Sequence, residues 1–160
     1  MKKRIMVDMS ATLIHHGHIR LLKKASEYGS VIVGLTTDNE IISKKNYQPE
    51  LSFEYRKEIL ESIKYVSEVV ATPWLIDDKV LDKYQIDLLV HGNDNCNLIN
   101  EQRLKILPRT QSASSTDMRQ KAQKAIAQIN NQKLMLTPGP AVVLQENLEH
   151  LKPLFGRGDD

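Results

Sequence analysis

The sequence predicts an α/β fold, a doubly wound parallel sheet of five strands with helices on both faces. Three observations lead there. Short apolar runs alternate about five times with stretches whose apolar residues fall at helical spacing. The second run, Ser30 to Leu35, is continuously apolar rather than alternating, as a strand buried on both faces requires. Gly or Pro punctuates the junctions at Gly29, Pro73, Gly92 and Pro108.

The elements follow in order. Residues 4–9 read as a first, mostly buried strand. Residues 18–28 carry Ile19, Leu21, Leu22 and Ala25 on one helical face, and Gly29 is expected to stop that helix as a C-terminal glycine. Ser30 to Leu35 is the second strand. The polar stretch from Lys44 to Ser52, with Pro49, reads as a loop. Ser52 is then an expected N-cap for a helix through Ile63. Glu68–Ala71 is a third strand, residues 77–84 a short helix, Asp87–His91 a fourth strand and Leu104–Leu107 a fifth. A last helix is expected over 116–130, capped by Ser115 or Thr116. The composition changes near Asn130-Asn131-Gln132, so residues 1–130 are expected to form the domain and 131–160 an appendage. In such sheets ligands bind beyond the carboxyl ends of the strands, so chemistry is expected in the residues just after each strand.

The bulk numbers exclude several classes. With 160 residues and 41% hydrophobic content, one ordinary domain with a true core is expected. Lys and Arg total 22 against 20 Asp and Glu, a net charge of +2, so no strong field favours nucleic acid or a membrane surface. Cys96 stands alone, which precludes an internal disulfide. The apolar run behind Lys2, Lys3 and Arg4 is short for a signal peptide, and a cytoplasmic protein is expected.

His15-His16-Gly17-His18 is the strongest signal for chemistry. It opens the first helix directly after the first strand. Free N–H groups and the helix dipole attract anions there, and Gly17 lets backbone approach a ligand. Donors aimed in advance at a charging phosphate are effective catalysts. Two other readings stay open: ordinary turn histidines, or a metal site of His15, His16 and His18, for which Cys96 supplies no paired ligand. A second anion-friendly helix start is Pro108-Arg109-Thr110-Gln111-Ser112-Ala113-Ser114-Ser115-Thr116. By itself it is also what an ordinary cap looks like. Lys44, Lys45 and Arg56 are unremarked surface cations when taken singly.

Together these segments, with Val33-Gly34-Leu35-Thr36-Thr37-Asp38, Tyr55-Arg56-Lys57-Glu58-Ile59-Leu60 and His91-Gly92-Asn93-Asp94, resemble the HxGH cytidylyltransferases over residues 3 to about 125. The resemblance is to the glycerol-3-phosphate type in particular. It implies a Rossmann-like nucleotidyltransferase fold of the HIGH superfamily and transfer of CMP from CTP, with magnesium accompanying the triphosphate. It also implies roles. His15, His18 and Lys44 would be catalytic. Met9, Ser10, Gly17, Gly92, Asp94, Arg109, Thr110, Ser114, Ser115 and Thr116 would lie at the nucleotide, and Arg56 and Thr12 at the acceptor. No protein-bound metal is expected, and a homodimer is suggested by analogy. ATP as donor, or a CTP-binding module without turnover, are the competing readings.

The departures are informative. The glycerol type has Gly-Thr-Phe-Asp before the HxGH element, where this chain has Met9-Ser10-Ala11-Thr12. Ser112-Ala113 stands where Gly-Ile is usual. The first change resembles the cytidylyltransferase domains of phosphonate biosynthesis, implying 2-hydroxyethylphosphonate or 2-aminoethylphosphonate as acceptor. Leu136-Thr137-Pro138-Gly139-Pro140 and Leu154–Asp160 resemble the opening of a class V aminotransferase, which implies a fused parent protein. A turn-rich tail is the plainer alternative.

Overall fold

The computed structural model describes residues 2–111 and 113–136, with side chains through residue 132. Five parallel strands form one sheet: β1 (Arg4–Met9), β2 (Ser30–Thr36), β3 (Val66–Thr72), β4 (Leu88–Gly92) and β5 (Leu104–Leu107), in the order β3-β2-β1-β4-β5. Helices α1 (His16–Ser26), α2 (Asp38–Lys45), α3 (Phe53–Glu61), α4 (Asp78–Lys83) and α5 (Ser115–Leu136) alternate with them. The fold is the α/β, Rossmann-like one expected. β1 is central, and the chain winds outward from it first through β2 and β3, then through β4 and β5. The switch point therefore lies between the carboxyl ends of β1 and β4.

The period of two along β1 divides the core. Ile5, Val7 and Met9 join Leu22, Val33, Leu35 and Leu60 on one face. Met6 joins Ile32, Ile76, Leu81, Ile86 and Leu89 on the other. Each such aliphatic side chain contributes about 1.5–3 kcal/mol by burial.

Three local expectations are corrected. Residues 38–45 are helical (α2), so Lys44 and Lys45 occupy a last helical turn rather than a loop. The weak amphipathicity of Asp38–Lys45, with only Ile41 buried, hid that helix. Gly29 is not in the left-handed conformation of a C-terminal glycine. It is required because a Cβ there would lie 2.1 Å from the Lys3 carbonyl oxygen, beside the Ser30 N–H that donates to that oxygen at 2.8 Å. The α5 cap is Ser114, whose Oγ accepts from the Asp117 N–H at 3.0 Å, not Ser115 or Thr116. Ser52 does cap α3, but the donor at its start is satisfied from a distance: Phe53 N–H donates to Asp38 Oδ2 at 3.0 Å.

Residues 2–118 make up the sheet unit, and the chain from Arg119 belongs to a second unit, helical to Leu136. The helix continues through the compositional change at 130–132. Residues 137–160, where the tail was expected to resemble an aminotransferase opening, lie outside the described residues, as does Ser112.

Candidate active site

The turn between β1 and α1 is shaped by its own side chains. His15 is the N-cap of α1, and its Nδ1 accepts from the Gly17 N–H at 3.1 Å. In return His18 Nδ1 accepts from the His15 N–H at 3.2 Å. Two donors of the helix start are thereby satisfied reciprocally. The rings lie 4.0 Å apart by their centroids. Because both Nδ1 atoms accept, the proton of each neutral imidazole sits on Nε2, the nitrogen left to meet a ligand. Burial, then the neighbouring His15, then Arg109 lower His18 to a pKa of about 4. Burial lowers His15 as well, aided by His16 and Arg109. At neutral pH the turn thus presents two uncharged N–H donors. His16 is exposed.

The segment before α5 is fastened to this turn. Ser115 Oγ donates to the Leu13 carbonyl at 3.1 Å. Ala113, 6% exposed, fits against Gly17: a Cβ on Gly17 would approach the Ala113 Cβ to 2.8 Å and the His15 ring to 2.9 Å. Gly17 is therefore needed for close approach of the two chain segments. Thr110 is half-buried and Thr116 exposed in the same segment.

Arg109 extends from this segment to the other side of the switch point, where its Nη1 donates to Asp94 Oδ2 at 2.8 Å. Gly92 admits Asp94, whose Oδ1 would lie 2.7 Å from a Cβ at that position. Behind Asp94 stands His91, with Nδ1 3.0 Å from the Gly92 carbonyl and 3.7 Å from Asp94 Oδ1. Its Nε2 lies 3.5 Å from Asp8 Oδ1. Asn97 Nδ2 donates to Asp8 Oδ2 at 3.1 Å, whereas Asp8 Oδ1 is buried without a hydrogen-bond partner. Burial pushes the Asp8 carboxyl up, against the opposing pull of His91 and Asn97. Sequence reasoning missed Asp8 and Asn97 and gave His91 no role. The available signal was a polar residue interrupting each of two adjacent apolar strands near its carboxyl end.

Two residues expected at ligands are engaged within the protein itself. Met9 is 9% exposed and lies in the core cluster, with its carbonyl accepting from Thr36 Oγ1 at 3.4 Å. Its side chain points inward because it shares the face of Ile5 and Val7. Arg56, expected at the acceptor, is fully buried. Its Nη1 donates to the Ser10 carbonyl at 2.6 Å and the Thr36 carbonyl at 3.0 Å, Nε to the Leu51 carbonyl at 3.1 Å and Nη2 to Asp38 Oδ1 at 2.5 Å. The planar fork ties the turn after β1 to the start of α2 and the approach to α3. That turn includes Ala11 at φ 44°, a left-handed conformation uncommon for a residue with a Cβ. Ser10 is held through its carbonyl. Thr12 is 2% exposed, with its hydroxyl 3.4 Å from the Tyr47 hydroxyl. Lys44 is exposed on α2.

Among the described residues no cluster of three His, Cys, Asp or Glu is arranged around a metal ion, and no helix is long and apolar enough to cross a membrane.

The Cytidylyltransferase-like family matches residues 10–121. The Staphylococcus aureus glycerol-3-phosphate cytidylyltransferase is 35% identical over 74% of this chain and 93% of its own. The ethanolamine-phosphate cytidylyltransferase of Arabidopsis thaliana is 32% identical over 72% of this chain, which spans only 31% of that protein. A solved lipopolysaccharide core biosynthesis protein from Thermoplasma volcanium shares the fold, with a TM-score of 0.58, 18% identity, and coverage of 71% of this chain and all of that one. With the family match spanning residues 10–121, the chain belongs to the Cytidylyltransferase-like family.

Proposed function

We propose that the protein transfers CMP from CTP to a small acceptor bearing a phosphate or phosphonate group, releasing pyrophosphate. The observation that carries this reading is the pair of Nδ1-anchored imidazoles at the α1 start, which leaves two neutral Nε2–H donors beside the anion-friendly start of α5. An acceptor oxygen attacks the α-phosphorus, forming one P–O bond as the bond to the β-phosphate oxygen breaks. The acceptor is already anionic, so no residue needs to remove a proton from it. Negative charge grows on the phosphoryl oxygens, and His15, His18 and Arg109 stabilise it. Lys44 and the hydroxyls of Thr110, Ser114, Ser115 and Thr116 would add cationic and hydrogen-bonding contacts to the triphosphate. The Ser114 and Ser115 hydroxyls already serve the fold, so their contribution includes holding the segment in place. Magnesium would ride on the phosphates and neutralise part of their charge.

For the acceptor, we favour a phosphonate such as 2-hydroxyethylphosphonate or 2-aminoethylphosphonate. Support comes from the Met9-Ser10-Ala11-Thr12 turn, which puts the short uncharged Thr12 where the glycerol type has an acid. Glycerol 3-phosphate is the second reading, favoured by the 93% coverage of the Staphylococcus relative. Pyrophosphate release from CTP with magnesium, against both phosphonates, glycerol 3-phosphate and phosphoethanolamine, tests both. Release with a phosphonate supports the first acceptor reading, and release with glycerol 3-phosphate alone discards it. CTP binding with silence on all four would favour a binding module.

A further inference from the structure

We propose that Asp8 and His91 are positioning residues for Arg109, acting through Asp94. The inference rests on reading the site as a nucleotide site and names residues that reading does not use. The argument starts from register. β1 pairs with β4 as Ile5 with Leu88 and Met6 with Leu89, and two more residues along each strand bring Asp8 opposite His91. Both are polar interruptions of apolar runs. Asp8 leaves the face of β1 that Met6 shares with Ile32 and Leu89, where an aliphatic residue would be the cheaper filling.

A carboxylate in that position needs partners, and it has few. Its side chain is 11% exposed; one oxygen takes the Asn97 amide, and the other, without a hydrogen-bond partner, lies 3.5 Å from His91 Nε2. Asn97 is itself pinned, its Oδ1 accepting from the Ile76 N–H at 2.8 Å, so Asp8 has no freedom to turn elsewhere. The imidazole therefore lies near two carboxylates, with Nε2 3.5 Å from Asp8 Oδ1 and Nδ1 3.7 Å from Asp94 Oδ1, while Nδ1 meets the Gly92 carbonyl at 3.0 Å. The Asp94–Arg109 pair beyond it is about half exposed on both sides, and such a pair alone holds a long side chain weakly. A second contact of Asp94, with a ring whose Nδ1 meets the Gly92 carbonyl and whose Nε2 faces buried Asp8, removes much of that freedom. The line Asn97–Asp8–His91–Asp94–Arg109 thus transmits the rigidity of the buried strands to a guanidinium at the surface. These five, with His15 and His18 facing Arg109 electrostatically, are the charged, titratable and amide groups on the line.

The test is a double-mutant cycle on the full chain with Asp8→Asn and His91→Gln, read by calorimetric CTP binding and by steady-state KM and kcat. Each single change is expected to weaken CTP binding about tenfold, and to raise KM more than it lowers kcat. The double variant is expected to be little worse than the worse single one, because both break the same line. The Arg109 Nε–H resonance is expected to shift in both variants. Should Asp8→Asn fail to fold, the partly exposed His91→Gln carries the same readouts. Folded variants with wild-type CTP affinity and an unmoved Arg109 signal, or fully additive losses, overturn the inference alone. Wild-type protein that binds no CTP overturns the nucleotide reading, and this inference with it.

Discussion

The turn after β1 and the loop after β4 flank the same switch point, yet they are built differently. The first takes its shape from four consecutive residues, His15 to His18, whose side chains and backbone cap one another. The second draws Asp8, His91, Asp94, Asn97 and Arg109 from three strand ends and the loops behind them. A local device of this kind survives any fold that supplies a strand followed by a helix. A distributed one exists only when β1 and β4 pair in the observed register. Damage to the first should appear chiefly in the chemical step. Damage to the second should appear in nucleotide binding.

The largest expected effect breaks the local side. His18→Ala should lower kcat by about 10²–10³, the usual consequence of removing one preorganised donor, with the fold retained and a loss of about 1 kcal/mol in stability from the missing acceptor for the His15 N–H. A folded, fully active His18→Ala protein would remove His18 from the mechanism. Next comes the buried fork under the same turn. Arg56→Lys should destabilise the fold by roughly 2 kcal/mol in chemical denaturation, because one ammonium cannot serve four acceptors in that geometry. If acceptor KM changed while stability did not, the contact with acceptor first expected of Arg56 would be restored.

Gly17→Ala sharpens the comparison by acting on the seam between the turn and the segment before α5. The added methyl would meet Ala113 and the His15 ring, so a loss of about 1–3 kcal/mol in stability is expected. Adding Ala113→Gly should recover part of that loss, since the His15 contact remains. No recovery would mean that the two segments are not seated on each other.

The smallest effect is a pH dependence. His18 is depressed from its ordinary 6.5 to about 4 in the folded protein. Above pH 6.5 both folded and unfolded states are neutral there, and the residue contributes no slope. Between 6.5 and about 4 the unfolded chain binds the extra proton, so stability falls as pH falls, by at most about 1.4 kcal/mol per pH unit. Asp8, raised by burial, acts in the opposite sense at its own titration. The difference between wild type and His18→Gln in denaturation at pH 7 and pH 5 isolates the histidine. An identical pH dependence would show that His18 is not depressed.

The same contrast explains what was legible in the sequence alone. The strands were legible because their runs are short, apolar and bounded by Gly or Pro. The His15–His18 turn was legible because its partners lie within four residues. α2 was hidden, since a helix with one buried residue carries almost no periodic signal. The internal role of Arg56 was not legible because its carbonyl partners, at positions 10, 36 and 51, have no side-chain signature. Asp8 and His91 lie 83 positions apart, and only strand pairing makes them one feature.

The most direct test of the nucleotidyl-transfer reading is acceptor-dependent pyrophosphate release with CTP and ATP supplied separately, in wild type and His18→Ala. The expected result is release with CTP and at least one phosphate or phosphonate acceptor, reduced by orders of magnitude in the variant. Release with ATP in preference to CTP, or equal rates in the two proteins, would contradict it.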